Sequence, residues 1–367
     1  MRLVAVSSIQ ENVFLAENVL NSKGRILLKA GAELTPPIVK RLYSLGISYV
    51  YIEDARTDDI YIRPVLTEGT RREALCIMSE AFNQVKKDLS ADSPEFGFHK
   101  MEKKFVSVVR DIIRQIKSRK EAIDLLTHLY AHDDYIFTHS LNVTIYTLAL
   151  SMKLKNLTPK QTEEIGLGAM LHDVGKMLIP LAILKKPSKL TSDEFTIMKS
   201  HTELGFELLR KEHGLPLTAA HCALQHHERL NGSGYPRGLK GNEIHFFGKM
   251  IGIADVYDAV TSNRIYRKAM LPHEGMEILY AGSGTEFETE YIEKFRKAIV
   301  MYPTGLTVWL TDGRKGIVCE QNEHVSDRPV LLILEEDGHN LKVPYKVNLA
   351  VETTVFIKET DTTLSGT

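Results

Sequence analysis

Apolar residues along this chain change their spacing three times, and each change marks a different kind of structure. Over residues 1–60 short strand-like runs flank one helix. Thr35-Pro36-Pro37 opens that helix, with Thr35 as N-cap and Pro36 in the first turn. Gly46 ends it, and Ile47-Ser48-Tyr49-Val50-Tyr51-Ile52 alternates as a strand does. Glu53 to Val65 reads as a linker. From Thr67 the spacing turns helical, with Leu75, Met78, Ala81, Phe82 and Val85 on one face. Ser90-Ala91-Asp92-Ser93-Pro94 breaks the pattern, which resumes from His99 to Tyr130. This connector packs on the next domain, and its amphipathic stripe allows a homodimer. Residues 121–300 are helical almost throughout. Beyond Tyr302 period two takes over in Thr307–Leu310, Gly316–Glu320, Pro329–Leu334 and Val355–Ile357, with turns at Asp312-Gly313 and Asp337-Gly338. The expected fold is multidomain and mainly α. A small α/β N-terminal domain (1–60) and a helical connector (67–120) precede a helical domain (121–300) and a small C-terminal β appendage (301–367).

Composition narrows the function. With 43% hydrophobic residues among 367, the chain can bury a sizeable core. Lys and Arg (46) nearly cancel Asp and Glu (47), leaving a net charge of −1. No global basic field is available to attract a nucleic-acid polymer, so a phosphate ligand has to be met by local charges in a pocket. Cys76, Cys222 and Cys319 are odd in number and scattered, which fits a reducing compartment better than a disulfide framework. The start of the sequence lacks a secretory apolar run, and no 18-residue apolar stretch follows. A soluble, cytoplasmic protein without a membrane span is expected.

The histidines carry the chemistry. Ten of the fourteen fall between His128 and His245. His139, His172, Asp173, His201, His226, His227 and Asp255 together offer enough imidazole and carboxylate to hold two divalent metals. Each has a plainer reading alone: His139 as a satisfied core histidine, His172-Asp173 as a buried histidine with a capping carboxylate, His226-His227 as an exposed pair. Jointly these readings fail, because Asp255 on an otherwise apolar helix is costly without a cation. The capping box Thr158-Pro159-Lys160-Gln161 opens the helix that delivers His172 and Asp173 at its far end, where Gly175 permits the turn that brings Lys176 to the same site. Residues one apart on a helix diverge by about 100°, so that dipeptide serves one metal cluster only near a helix end. His201 is expected on the helix opened by the capping box Thr191 to Glu194, and His226-His227 at the end of a helix from Leu217.

These residues resemble the HD-GYP domains, a branch of the HD metal-dependent phosphohydrolase superfamily. The likeness runs through His172-Asp173-Val174-Gly175-Lys176, Ile179-Pro180, Ile183 to Pro187, Leu190-Thr191, Glu194, His201 and Gly205. It continues through His226-His227-Glu228, Gly234-Tyr235-Pro236, Asp255 to Ala259 and Arg264-Ile265-Tyr266-Arg267. The resemblance covers residues 121–300 and implies an all-helical HD-type phosphohydrolase bundle. Its implied activity is a cyclic-guanylate-specific phosphodiesterase that degrades the bacterial second messenger cyclic di-GMP with metal-activated hydroxide. Two ions, iron or manganese, are implied, with His139, His172, Asp173 and Asp255 on one and Asp173, His201, His226 and His227 on the other. Asp173 and Lys176 are the implied catalytic residues, Lys176 meeting the scissile phosphate. Arg264 and Arg267 are the implied grips on the substrate phosphates, and the Tyr235 loop flanks the pocket.

One position departs from the pattern. Three-metal members of the family carry Glu one helical turn before the histidine that is His139 here, and this chain has Tyr135. A phenol with a pKa of about 10 is a poor ligand at neutral pH. A two-metal site and the linear product pGpG are therefore expected. The alternatives are a phosphohydrolase for another cyclic dinucleotide or nucleotide, and a non-catalytic cyclic di-GMP sensor that docks a diguanylate cyclase domain through the Tyr235 loop. Retention of His172, Asp173 and Lys176 favours the enzyme.

Overall fold

A computed structural model describes residues 1–10, 13–21, 25–90, 101–119, 122–125, 135–186, 188–262, 269–323 and 325–364, without the side chains of 86–90 and 135. The centre is a helical bundle around one apolar core that runs from Val65 to Met301. α1 (Pro36–Ser44) lies outside it. The bundle begins with α2 (Glu68–Ser90) and α3 (Glu102–Lys117), and α3 buries Phe105, Val108, Val109, Ile112 and Ile116 along one stripe. α4 (Tyr135–Lys153) is the middle helix. Leu141, Val143, Ile145, Leu148, Ala149 and Leu150 are buried all round it, as a helix surrounded by others requires. α5 (Pro159–Leu171) packs beside it and starts at the expected capping box, with Thr158 Oγ1 accepting from Gln161 N and Gln161 Oε1 accepting from Thr158 N.

A short α6 (Leu181–Leu184) leads to α7 (Ser192–Lys199), α8 (His201–Leu209) and α9 (Leu217–Gln225). α10 (Phe246–Thr261) returns through the core, followed by α11 (Pro272–Ala281) and α12 (Thr289–Arg296). Tyr146, Tyr257 and Phe295 meet edge to face with centroids 5.0–5.9 Å apart, locking α4, α10 and α12 together. That lock fixes α10 beside α4. The helical stretch expected to reach Tyr130 stops earlier, at Lys117. Ile123 instead pairs in parallel with Ile299, which sets the entry of the chain into the bundle, and residues 126–134 lie outside the described set.

The two chain ends share a second core. β1 (Arg2–Ala5) pairs antiparallel with β4 (Tyr49–Ile52), and β2 (Val19–Leu20) with β3 (Ile26–Leu28). The C-terminal strands β5 (Thr307–Leu310), β6 (Lys315–Glu320), β7 (Val330–Glu336), β8 (His339–Asn348) and β9 (Ile357–Asp361) form a sheet in the order β8-β7-β6-β5-β9. Leu3, Val4, Leu15, Leu34 and Tyr51 from the N-terminal part pack with Leu306, Val308, Val318, Leu331 and Ile333 from this sheet. β8 gives no alternating signal in the sequence, because Lys342, Val343, Tyr345 and Lys346 are all exposed and polar and apolar residues therefore do not sort by face. Thr35 precedes α1 as expected, but its side chain makes no capping bond.

Candidate metal centre

Five helix ends or helix faces bring the expected donors to one point. His139 comes from the first turns of α4 and Asp255 from the middle of α10. His172 is the C-cap of α5, and Asp173 follows it into the 3-10 turn Val174–Leu178. The helix therefore stops where two adjacent side chains can turn to the same centre. His226 caps α9 in the same way, with His227 next to it. His201 opens α8 rather than continuing α7, a correction to the single helix expected there. Ser200 Oγ donates to the Ile197 carbonyl and His201 Nδ1 to the Met198 carbonyl, so these side chains replace the continuing ladder.

Asp173 sits at the middle and is 1% exposed. Its Oδ2 faces His139 Nε2 at 3.5 Å and His172 Nε2 at 3.4 Å. Its Oδ1 faces His201 Nε2 at 3.4 Å and His226 Nε2 at 3.8 Å. One carboxylate thus divides four imidazoles into two pairs. Asp255 straddles the cluster similarly, with Oδ1 3.1 Å from His139 Nε2 and Oδ2 3.5 Å from His227 Nδ1. Three groups of donor atoms each lie within 4.8 Å of one another: His201, His226 and His227; His139, His172 and Asp255; His172, Asp173 and His226.

The imidazoles are oriented from behind. His172 Nδ1 donates to the Ala169 carbonyl at 2.7 Å, His201 Nδ1 to Met198 at 2.7 Å and His226 Nδ1 to Cys222 at 3.1 Å. A carbonyl only accepts, so each Nδ1 carries the proton and each Nε2 lone pair points inward. His139 Nδ1 is held by Asp258 Oδ2 at 2.7 Å, and Asp258 Oδ1 accepts from Asn142 at 2.9 Å and Ser262 at 2.8 Å. His172 Nε2 and Asp173 Oδ1 are buried and make no hydrogen bond among the described residues. Buried polar atoms are ordinarily satisfied, so a convergent nitrogen–oxygen donor set with orphan atoms at its centre fits divalent cations.

Electrostatics agree with that fit at three of the rings. At His139 burial is overcome by the carboxylates of Asp255 and Asp258, which raise the imidazole to about 9, so that ring must give up a proton to bind an ion. Burial holds the imidazolium forms of His226 and His227 well below the usual range, and burial with the Lys176 charge lowers His201 to about 4. These three rings stay neutral, as ligands must. For Asp173 burial opposes ionisation, but Lys176 and His172 outweigh it and hold the carboxyl well below its usual range. Asp255 behaves alike, with His139 and His227 overcoming burial. Lys176 Nζ reaches Asp173 Oδ2 at 2.5 Å and keeps 19% of its side chain exposed, the cation at the open edge.

The glycine-bearing loop closes one side. Glu228 is buried, and its carboxylate accepts from Arg237 N at 2.8 Å and Leu239 N at 2.9 Å. Tyr235 N donates to the His227 carbonyl, and the Tyr235 ring stacks on His227 with centroids 4.6 Å apart. Gly234 is required for this fold-back, since a Cβ there would lie 2.5 Å from the His227 carbonyl and from Arg229 N. Arg264 and Arg267 lie outside the described residues, as does the Tyr135 side chain.

Reading the sequence gave no role to Asp258 or Glu228. Asp258 was detectable, standing three residues after Asp255 and so on the same face of an apolar helix. Replacing it frees the His139 ring. Asp258→Ala should weaken metal binding about 10–100-fold, the usual cost of losing such a partner. Metal titration of the refolded variant checks this, and unchanged affinity would refute the orienting role.

A protein-family model described as HD domain matches residues 98–290, more than half of the chain. The chain belongs to the HD-domain family. Its Gly-Tyr-Pro loop beside the donor cluster marks the HD-GYP branch. This HD-domain chain is 33% identical over 240 residues to a cyclic di-GMP phosphodiesterase of Pseudomonas aeruginosa, covering 65% of this chain and 58% of that protein. It is 38% identical over 156 residues to a 3′3′-cGAMP-specific phosphodiesterase of Vibrio cholerae, covering 42% of this chain and 30% of the relative. The chain thus spans little more than half, or less, of the curated relatives it matches. A solved structure of an HDG"Y"P protein from Bdellovibrio bacteriovorus aligns over 80% of this chain and 97% of that one, with 18% identity and a TM-score of 0.48. No helix among the described residues is long and apolar enough to cross a membrane.

Proposed function

We propose that this chain hydrolyses cyclic di-GMP, opening one phosphodiester bond to give linear pGpG. The observation that carries the reading is the division of imidazoles by Asp173, whose two oxygens face two separate histidine pairs. On this reading His139, His172, Asp173 and Asp255 would hold one ion and Asp173, His201, His226 and His227 a second, iron or manganese by the mixture of imidazole and carboxylate. When bound, two such ions supply Lewis acidity toward phosphoryl oxygens and make water at the site more acidic.

The chain's own groups do the rest. Lys176, on the open side of Asp173, meets a non-bridging oxygen of the scissile phosphate and offsets the charge that grows there. Asp258 keeps the His139 ring from rotating, and Glu228 keeps the loop folded so that Tyr235 shields one wall from water. Arg264 and Arg267 supply the additional cations a substrate with two phosphates needs.

The names of the relatives support cyclic dinucleotides as the substrate class, one being named a cyclic di-GMP phosphodiesterase and another a 3′3′-cGAMP-specific phosphodiesterase. Chromatography of products over time tests the reading. Protein purified anaerobically should convert cyclic di-GMP to pGpG, which accumulates without GMP. Cleavage of 3′3′-cGAMP alone would replace the substrate assignment, and conversion through to GMP would remove the product assignment.

A further inference from the structure

Beside the donor cluster stands a group of side chains that metal binding does not use. Phe195 on α7 is 47% exposed, and its ring lies 6.3 Å from that of Tyr235. Tyr235 in turn stacks on His227. The rings therefore step outward from a metal-site histidine to an open aromatic face. Lys199, one helical turn beyond Phe195, holds its ammonium 5.3 Å over the Phe195 ring and 5.9 Å over Tyr235. Lys186, upstream of α7, is committed to Glu194 at 2.6 Å, whereas no carboxylate pairs with Lys199 among the described residues. A cation held between two rings, next to an exposed aromatic face and a phosphodiester-cleaving centre, suits a nucleobase.

We propose that Phe195 and Lys199, with Tyr235, form the shelf that selects one guanine of the cyclic dinucleotide. The inference rests on the hydrolytic reading above and adds base selectivity to it. The base stacks on Phe195, a contact any purine makes. Lys199 supplies the discrimination. An ammonium only donates, and guanine offers two adjacent acceptors, O6 and N7, where adenine replaces O6 with the N6 amino donor. The same lysine pointed at a phosphate would bind every cyclic dinucleotide alike, so the ratio between substrates separates the two roles.

The test compares wild type, Lys199→Ala, Phe195→Ala and Phe195→Trp on cyclic di-GMP, 3′3′-cGAMP and cyclic di-AMP, with Kd by calorimetry and KM and kcat by product analysis. Lys199→Ala should raise Kd and KM for cyclic di-GMP about tenfold, the cost of one charge-assisted hydrogen bond, and shrink the preference over cyclic di-AMP by a similar factor. Metal content and kcat should stay near wild type. Phe195→Ala should weaken all three ligands, and Phe195→Trp should restore them. An unchanged preference in Lys199→Ala overturns the proposal, and so does a loss confined to kcat with loss of metal. If wild type binds cyclic di-GMP without cleaving it, the hydrolytic reading fails while the Kd ratios still decide the shelf. Absence of binding by wild type overturns both.

Discussion

Asp173→Ala should abolish turnover, with a fall of at least about 10³-fold, and should leave less than one metal ion per chain. The size follows from position. Asp173 faces both histidine pairs, and it also holds Lys176. Losing metal and cation charge at the phosphate removes several kcal/mol of barrier lowering, and each 1.36 kcal/mol is about a factor of ten. The fold should survive, because burial keeps His201, His226 and His227 neutral and the substitution leaves no repelling cluster among them. Metal analysis, circular dichroism and an initial-rate assay on one preparation check this. A variant that keeps its metals and a tenth of its activity would contradict the bridging role.

The second large effect is expected at Gly175. The turn Val174–Leu178 crosses the start of α8 backbone to backbone. A Cβ at Gly175 would fall on the His201 carbonyl oxygen and within 2.6 Å of Gly205 N. Backbone cannot give way as a flexible side chain can, so Gly175→Ala must push the turn off α8. Overpacking of this kind costs about 3 kcal/mol or more. It also separates Lys176 and Asp173 from His201, so metal affinity should drop together with the melting temperature. Gly313→Ala provides the comparison, since its site is open and only the positive φ of 92° resists. Thermal melts that do not separate the two variants would show that the approach of the turn to α8 is looser than described.

How much of this the sequence discloses depends on whether the signal is local. The helix ending in His172-Asp173 is legible because the Thr158–Gln161 box and the apolar run after it are both local. The convergence of the donors was expected from residue type, since Asp255 on an apolar helix makes little sense alone. The break at Ser200 was not legible, because Ser200 and His201 stop α7 with side-chain hydrogen bonds that compete with a still favourable helical pattern. Nor could spacing show that Leu3 and Tyr51 share a core with Val308 and Leu331, some 300 residues away, since periodicity reveals an apolar face and not its partner. Orienting groups such as Asp258 fall between these cases, carrying a local signal whose meaning needs the His139 ring beside it.

The central claim is metal-dependent cleavage of cyclic di-GMP at the Asp173 cluster, and the most direct measurement is the initial rate of pGpG formation as iron(II) or manganese(II) is added back to chelated wild-type protein. The rate should be near zero without metal and should rise until about two ions are bound per chain. Protein carrying two ions that binds cyclic di-GMP and leaves it intact would contradict the claim.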